Sequence, residues 1–119
     1  MTTILLVDDH SDIRRLIRLT LGKAYTVLEA GDGPAALEIA HRSRPDIIVL
    51  DIMLPGELDG LQLLDAIKSD SQLTNTRVIM VTAKGQDHEK CMERGADAFF
   101  VKPFSPLQLV TFIKETLPR

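Results

Sequence analysis

Five side chains that can take part in chemistry each follow directly after a short apolar run of the sequence. They are Asp8 and Asp9 after residues 4–7, Asp51 after residues 47–50, Thr82 after residues 78–81, and Lys102 after residues 99–101. Unbroken apolar runs of this length are typical of parallel strands that are covered on both faces. Because ligands bind beyond the carboxyl ends of such strands, we expect these side chains to lie around one site.

The three carboxylates predict a divalent cation at this site. Carboxylates that lie close together repel, so one or more of them would be protonated unless a cation lies among them. Carboxylate, carbonyl and water oxygens suit Mg²⁺, and Mn²⁺ is an alternative. Lys102 adds a positive charge and Thr82 a hydroxyl donor, so that together they can surround an anionic group on Asp51. This combination favours phosphoryl transfer to Asp51, since an aspartyl carboxylate is an accepted covalent nucleophile.

Five helices are predicted between and after the strands, from apolar residues that recur on one helical face. These residues are Ile13, Leu16, Ile17 and Leu21 in the first helix; Ala36, Leu37 and Ala40 in the second (residues 34–43); Leu61, Leu64 and Ile67 in the third; Cys91 and Met92 in the fourth (residues 86–94); and Leu109, Val110, Ile113 and Leu117 in the fifth. With a second strand at residues 26–28, strand and helix alternate five times. This (βα)₅ pattern predicts an α/β fold with a doubly wound parallel sheet.

Three helix boundaries carry sequence signals. We expect Ser11 to cap the first helix, whose opposite, basic face is predicted to be solvated. That face carries Arg14, Arg15 and Arg18. Ser105 is followed by Pro106 and then by Gln108, which predicts a capped start of the fifth helix. Gly95 predicts the end of the fourth helix, which we expect to be the most exposed and mobile of the five.

Composition and charge predict a single domain, residues 1–119, that works in the cytoplasm. The length suits one compact domain. A lone cysteine, Cys91, cannot form an internal disulfide, which is compatible with a reducing compartment. The net charge of −3 disfavours direct binding of nucleic acid, which needs clustered Lys and Arg. We expect no membrane association, since the chain lacks both a signal-peptide pattern and an apolar stretch of membrane-spanning length.

Four motifs resemble those of the response-regulator receiver domains (CheY-like) of two-component signalling systems. They are Val7-Asp8-Asp9, residues 49–56 (Val-Leu-Asp-Ile-Met-Leu-Pro-Gly), residues 81–84 (Val-Thr-Ala-Lys) and residues 95–104 (Gly-Ala-Asp-Ala-Phe-Phe-Val-Lys-Pro-Phe). They occur in the family's order, in register with the (βα)₅ pattern, and extend over almost the whole chain. The resemblance implies a flavodoxin-like three-layer sandwich whose five parallel strands have the order 2-1-3-4-5.

The resemblance also implies roles for the acidic residues. Asp51 resembles the phosphoacceptor and a metal ligand. Asp9 resembles the direct Mg²⁺ ligand, and Asp8 a residue that acts mainly through metal-bound water. Met53 is expected to offer only its backbone carbonyl to the metal.

The remaining roles implied by the resemblance concern the phosphoryl group and the switch. Thr82, Lys102 and the backbone amide of Ala83 are expected to bind the phosphoryl oxygens. Phe99 matches the aromatic switch residue, whose ring turns inward when Thr82 moves toward the phosphoryl group. Pro103 matches a position where the peptide bond after Lys102 is cis, which directs Lys102 inward.

Three features depart from the commonest pattern of the family. The loop at residues 54–60 carries one residue more than usual, the segment at residues 82–95 is slightly shorter, and Phe99 replaces the more frequent Tyr. Three histidines show no metal-ligand spacing and are predicted to be surface residues. They are His10, His41 and His88.

The leading hypothesis is therefore a binding module controlled by phosphorylation, with no separate substrate. A histidine kinase or histidine phosphotransfer protein would supply the phosphoryl group, and catalysis would be limited to transfer onto Asp51 and autodephosphorylation. Phosphorylation would switch the surface of the fourth helix, fifth strand and fifth helix for an effector or output domain. The resemblance places kinase docking around the first helix, and a homodimer through the fourth and fifth helices is left open.

Three alternative functions differ from this hypothesis at named residues. A phosphatase with an aspartyl-phosphate intermediate needs a second carboxylate two residues after its nucleophile, where Met53 lies. A flavin-binding electron carrier needs a phosphate-binding loop after the first strand, where Asp8 and Asp9 would repel the flavin phosphate. A pseudo-receiver that binds partners without phosphorylation stays as the alternative, although the intact acidic set argues against it.

Overall fold

The computed structural model describes residues 2–116, which form a five-stranded parallel sheet with helices on both faces. The strands are β1 (Thr3–Val7), β2 (Thr26–Ala30), β3 (Ile47–Asp51), β4 (Arg77–Thr82) and β5 (Ala98–Val101). The helices are α1 (Ser11–Leu21), α2 (Gly33–Ser43), α3 (Gly60–Lys68), α4 (His88–Glu93) and α5 (Pro106–Thr116). The strand order is β2-β1-β3-β4-β5 and all pairs are parallel, so the predicted α/β fold and the 2-1-3-4-5 order are confirmed.

The sheet separates two apolar layers, because successive residues of a strand point to opposite faces. On one face Leu5 and Leu50 pack with α2, α3 and the buried Cys91 of α4. On the other face Ile4 and Leu6 pack with α1 and α5. Residues 4–7 and 47–50 are buried throughout, which explains why these strands read as unbroken apolar runs.

The first helix differs from its prediction at both Ser11 and Leu16. Ser11 is the first helical residue, and His10 occupies the N-cap position without a side-chain cap. The reason is the preceding turn, in which the Asp8 carboxylate accepts the backbone amide of His10 at 2.8 Å. Leu16 is 52% exposed, since the contact of α1 with the sheet runs through Ile17 and Leu21 instead.

The fourth helix is shorter than predicted, because a 3-10 turn at Gly85–Asp87 precedes it. Cys91 is fully buried as predicted, whereas Met92 is exposed. Gly95 follows the helix with φ of 97°, a left-handed conformation that favours glycine, and it ends the helix as predicted. Only Cys91 is buried among the six residues of α4, which agrees with the expected exposure of this helix. The expected mobility of α4 stays a prediction.

The other helices follow their predicted faces. In α3 Leu64 and Ile67 are buried as predicted, and Leu63 is buried as well although the sequence pattern did not single it out. The α5 start is capped as predicted, since the Ser105 hydroxyl accepts the Gln108 amide at 3.2 Å. Leu117 lies outside the described residues. Within residues 2–116 no helix combines the length and apolar character needed to span a membrane.

The start of α3 lies directly against the end of β3. A capping box joins Asp59 and Gln62, each side chain accepting the other's backbone amide at 2.9 Å. A Cβ atom on Gly60 would lie 2.3 Å from the backbone carbonyl oxygen of Asp51, so this approach requires glycine. The loop between Asp51 and α3 is therefore held at both ends beside the carboxyl edge of the sheet.

Candidate functional site

The carboxyl ends of β1 and β3 bring the predicted carboxylates together. Val7 pairs with Leu50 in the parallel register, so Asp8 and Asp51 leave the sheet side by side. Both are buried, with 6% and 3% exposure, whereas Asp9 is exposed. One ligand atom from each of these residues and from His10 lies within 4.8 Å of the others.

Lys102 holds the two buried carboxylates together. Its ammonium donates to Oδ2 of Asp8 and to Oδ2 of Asp51, both at 2.9 Å. The backbone amide of Lys102 donates to the carbonyl of Thr82 at 2.7 Å, which fixes the end of β5 beside that of β4. The peptide bond between Lys102 and Pro103 is cis. We call Asp8, Asp9, Asp51 and Lys102 the carboxyl-edge cluster.

The remaining carboxylate oxygens of this cluster accept local hydrogen bonds. Oδ1 of Asp51 accepts the backbone amide of Met53 at 3.1 Å. Oδ1 of Asp8 accepts the amide of His10 and lies 3.0 Å from the Nδ1 atom of the same residue. The Nδ1 atom also lies 3.1 Å from Oδ1 of Asp9, so one imidazole nitrogen bridges two carboxylates.

Burial and neighbouring charges shift the pKa values of the buried Asp51 and Asp8 and of the half-buried Lys102 in opposite directions. Burial raises the pKa of Asp51, and hydrogen bonds from Lys102 and the Met53 amide offset this only in part. Burial also acts to raise the pKa of Asp8, but the His10 amide and Lys102 outweigh it, so the pKa is lowered. Burial acts to lower the pKa of Lys102, but its two carboxylate partners raise it. One ammonium thus pairs with two buried carboxyl groups.

This donor set fits a hard divalent cation. The carboxylates of Asp8, Asp9 and Asp51 offer oxygen atoms, and the cluster carries more acidic groups than Lys102 can neutralise. Mg²⁺ favours oxygen ligands of this kind and keeps several waters, which a partly exposed position allows. An open groove lined by Asp9 and Met53 reaches the cluster from solvent.

Thr82 and Phe99 lie on the neighbouring strands but are engaged elsewhere. Thr82 is fully buried, and its hydroxyl accepts the backbone amide of Lys84 at 3.2 Å. Ala83 is exposed directly beside it. The half-buried Phe99 ring packs edge-on against His88 of α4, with ring centroids 5.0 Å apart.

Arg14 belongs to the site, which differs from the predicted solvated face. Its side chain is only 17% exposed, and its guanidinium donates to the backbone carbonyl of Asp8. It also donates to Glu29 of β2 at 2.9 Å, and Arg18 donates to the other oxygen of Glu29 at 2.7 Å. The sequence offers little signal for this network, because Arg14 and Arg18 lie 15 and 11 residues from Glu29. The one hint is the acidic Glu29 within the short strand β2.

An apolar groove lies on the α1 side of the cluster. Its lining includes Ile13 and Leu16 of α1, Ala83 after β4, and Pro103 and Phe104 after β5. The exposed Leu16 side chain therefore borders a groove that also reaches Lys102. The groove thus ends at the lysine that pairs with both buried carboxylates.

Comparisons with known proteins agree with this geometry. The family model described as "Response regulator receiver domain" matches residues 4–114. The phosphate regulon transcriptional regulatory protein PhoB of Pseudomonas aeruginosa is 42% identical over 120 residues, which cover 98% of this chain and 52% of that protein. The probable transcriptional regulator ycf27 of Guillardia theta is 40% identical over 119 residues, covering 98% of this chain and 45% of the relative. The chain thus spans about half the length of these curated relatives.

Solved structures with the same fold include a chemotaxis response regulator and an activated receiver domain. The chemotaxis response regulator CheY4 of Vibrio cholerae has a TM-score of 0.88 and 33% identity, covering 98% of this chain and 99% of that one. The BeF3-activated DrrB receiver domain has a TM-score of 0.88 and 30% identity, covering 100% and 99% of the two chains.

Proposed function

The chain belongs to the response regulator receiver domain family of two-component systems, and on that premise we propose that Asp51 accepts a phosphoryl group in a Mg²⁺-dependent reaction. The observation that carries the proposal is the ammonium of Lys102, which is hydrogen-bonded to both Asp8 and Asp51 at 2.9 Å. A buried carboxylate with a fixed cation beside it and further acidic ligands around it suits a nucleophile for phosphoryl transfer.

We infer that the metal would be held by Asp8, Asp9, Asp51 and the backbone carbonyl of Met53. Mg²⁺ is the expected ion and Mn²⁺ the alternative, because all of these donors are oxygen atoms. When bound, the ion would neutralise charge on the phosphoryl oxygens during transfer.

Few chemical steps are required of the chain itself. A carboxylate oxygen of Asp51 forms the new bond to phosphorus while the bond from phosphorus to the donor nitrogen breaks, and the electron pair leaves with the donor. Asp51 reacts as the carboxylate, so no proton has to be removed from it, and its ion pair with Lys102 favours that form. Hydrolysis of the acyl phosphate by water would restore Asp51, so the chain would act on itself alone.

Phosphorylation would change the contacts of Thr82 and Phe99. A phosphoryl group on Asp51 would compete with the Lys84 amide for the Thr82 hydroxyl, and it would add Lys102 and the Ala83 amide as partners. Movement of Thr82 would free space that the half-buried Phe99 ring can enter, at the cost of its contact with His88. The surface formed by α4, β5 and α5 would then change its packing.

The partners that fit this role follow from the groove beside α1 and from the family. We propose that a histidine kinase or a histidine phosphotransfer protein docks at that groove, next to Lys102, and that an effector or output domain reads the α4-β5-α5 surface. A homodimer through the latter surface is the alternative assembly. We further propose that residues 1–119 form one receiver domain, working in the cytoplasm.

The proposal is tested by intact-mass spectrometry after incubation with acetyl phosphate. Samples would contain wild type with Mg²⁺, wild type with a chelator, and Asp51→Asn with Mg²⁺. Asp65→Asn serves as a matched control, because Asp65 is an exposed carboxylate paired with Arg94 on the surface.

We expect the mass of one phosphoryl group to be gained only by wild type and Asp65→Asn in Mg²⁺. A gain in Asp51→Asn would place the phosphoryl group on another residue. No gain in folded wild type, either from acetyl phosphate or from a phosphorylated histidine phosphotransfer protein, would favour the pseudo-receiver alternative instead.

A further inference from the structure

His10 lies inside the cluster of candidate metal ligands, although the spacing of the histidines in the sequence does not indicate a metal site. Its Nδ1 atom is 3.0 Å from Oδ1 of Asp8 and 3.1 Å from Oδ1 of Asp9. Together with a carboxylate oxygen of Asp51, these ligand atoms all lie within 4.8 Å of one another. The imidazole nitrogen therefore belongs to the same group of candidate ligand atoms as the carboxylate oxygens.

The chain places His10 there through the turn between β1 and α1. His10 occupies the N-cap position of α1 with an extended backbone, and its amide donates to the Asp8 carboxylate. This bond fixes the backbone, whereas the side chain is 59% exposed and is held by its carboxylate neighbours. The ring can therefore turn toward an ion without disturbing the core.

An imidazole nitrogen changes which metal an oxygen site prefers. Nitrogen ligands suit first-row transition metals, and affinities rise from Mn²⁺ through Co²⁺ toward Zn²⁺, whereas Mg²⁺ favours oxygen donors alone. The Nδ1 atom lies within hydrogen-bonding distance of two carboxylates, and a divalent ion bound at the same atoms would take the place of these contacts.

We propose that His10 supplies a nitrogen ligand to the metal site formed by Asp8, Asp9 and Asp51, so that its presence raises the affinity for Mn²⁺ and Co²⁺ relative to that for Mg²⁺. The proposal rests on the proposed function only in sharing its metal site. It adds a nitrogen ligand, which a purely oxygen-donor site lacks.

The chain offers a matched control in His41. This histidine is similarly exposed and also pairs with a carboxylate, Asp70, at 2.6 Å, but it lies on α2 outside the cluster. Substituting His41→Asn removes an imidazole from the surface and leaves the candidate metal ligands in place. His10→Asn removes the nitrogen ligand and replaces it with an amide.

The test is pulsed electron paramagnetic resonance of bound Mn²⁺, together with calorimetric titration of Mn²⁺, Co²⁺ and Mg²⁺. We expect coupling to one imidazole nitrogen in wild type and in His41→Asn, and its loss in His10→Asn. The affinity of His10→Asn for Mn²⁺ and Co²⁺ should fall about tenfold or more, as expected when a metal ligand is lost. Its affinity for Mg²⁺ should fall by less than about threefold.

Absence of nitrogen coupling in wild type, coupling that survives in His10→Asn, or an equal loss of affinity for all three metals would overturn the assignment. These measurements need no phosphodonor, so they are independent of phosphorylation. If wild type binds Mn²⁺ through nitrogen but is never phosphorylated, the proposed function fails and the inference stands. If it is phosphorylated in Mg²⁺ and shows no nitrogen coupling, only the inference fails.

Discussion

The sheet holds a lysine among polar groups both at its amino edge, where the strands begin, and at its carboxyl edge, where they end. The charges balance at only one of these two edges. At the amino edge Lys68 donates to Asp97 at 2.8 Å, and the same carboxylate oxygen accepts the backbone amide of Val78. We call Lys68, Asp97 and the Val78 amide the amino-edge cluster. At the carboxyl edge, Lys102 pairs with two buried carboxylates, and the exposed carboxylate of Asp9 lies close to these two.

This difference separates a structural contact from a site that is prepared for a further ligand. The amino-edge cluster pairs one positive with one negative charge and joins the end of α3 to the start of β5, so it is complete. The carboxyl-edge cluster keeps excess carboxylates close together at low exposure, an arrangement that costs free energy unless a cation binds. Both clusters use the same residue types, and the charge count distinguishes them.

The largest effect is expected from removing each lysine in turn. Lys102→Met should lower the metal-free free energy of unfolding by about 3 kcal/mol, because it leaves Asp8 and Asp51 buried without a cation. Lys68→Met should cost about 1 kcal/mol or less, since its pair with Asp97 is more exposed.

Urea unfolding with and without Mg²⁺ measures both effects. Mg²⁺ should reduce the difference in unfolding free energy between Lys102→Met and wild type, because the uncompensated carboxylates of the variant gain more from a bound cation. It should stabilise Lys68→Met and wild type equally and leave their difference unchanged, because both keep the same carboxyl-edge cluster. Equal losses in the two variants, or equal recovery in Mg²⁺, would remove the distinction between the clusters.

A second prediction concerns the acidic members alone. Asp8→Asn should weaken Mg²⁺ binding about tenfold or more, since it removes one ligand and one charge from the cluster. Asp97→Asn removes a carboxylate of the amino-edge cluster and should leave Mg²⁺ binding unchanged within error. Calorimetric titration measures both constants, and a comparable loss in Asp97→Asn would show that net charge rather than position controls binding.

Most of this contrast could be predicted from the sequence, and the part that could not depends on contacts between distant elements. The apolar runs before Asp8 and Asp51 identify buried strands, so these residues are placed at one edge by the fold alone. The position of Lys102 follows in the same way. The sequence does not give charge pairing across the sheet, which is why Arg14 was predicted to be solvated. Nor does it give the turn at Asp8 that makes His10 the N-cap and brings its ring to the carboxylates.

A third, smaller effect tests whether Arg14 belongs to the carboxyl-edge cluster. Arg14 and Arg18 both donate to Glu29, but Arg14 alone of these two also donates to the backbone carbonyl of Asp8. Arg14→Ala should cost about 1.5–3 kcal/mol, as for loss of a charged hydrogen bond, and should weaken Mg²⁺ binding by loosening the turn at Asp8. Arg18→Ala should cost about 1 kcal/mol or less, since this side chain is 46% exposed.

Thermal unfolding and Mg²⁺ titration of the two arginine variants distinguish a positioning role from a purely structural one. If Arg14 positions Asp8, its loss shifts both stability and metal affinity, and Arg14→Lys restores part of each. A loss of stability with unchanged Mg²⁺ affinity would limit Arg14 to anchoring α1 on β2.

The smallest effect concerns pH and has opposite signs at Asp51 and Asp70, a carboxyl in the turn before β4. Burial raises the pKa of Asp51 above its ordinary value of 3.8 in the metal-free chain, so stability is lost as the pH rises through that folded pKa. Asp51→Asn should abolish this loss and stabilise the metal-free chain at neutral pH.

Asp70 reverses the sign, because hydrogen bonds from the Gln72 amide and His41 lower its pKa. Its stabilisation is present above the unfolded value of 3.8 and is lost as the pH falls through the lowered folded pKa, so Asp70→Asn should destabilise the chain slightly at neutral pH. Both signs are measured from the unfolding free energies of the two variants between about pH 3 and pH 7 in the presence of chelator. The reference for each is the pKa of Asp in the unfolded chain. If Asp51→Asn destabilised the metal-free chain at neutral pH, the carboxyl-edge cluster would be a stabilising network like its amino-edge counterpart, and excess charge would no longer explain why it binds a cation.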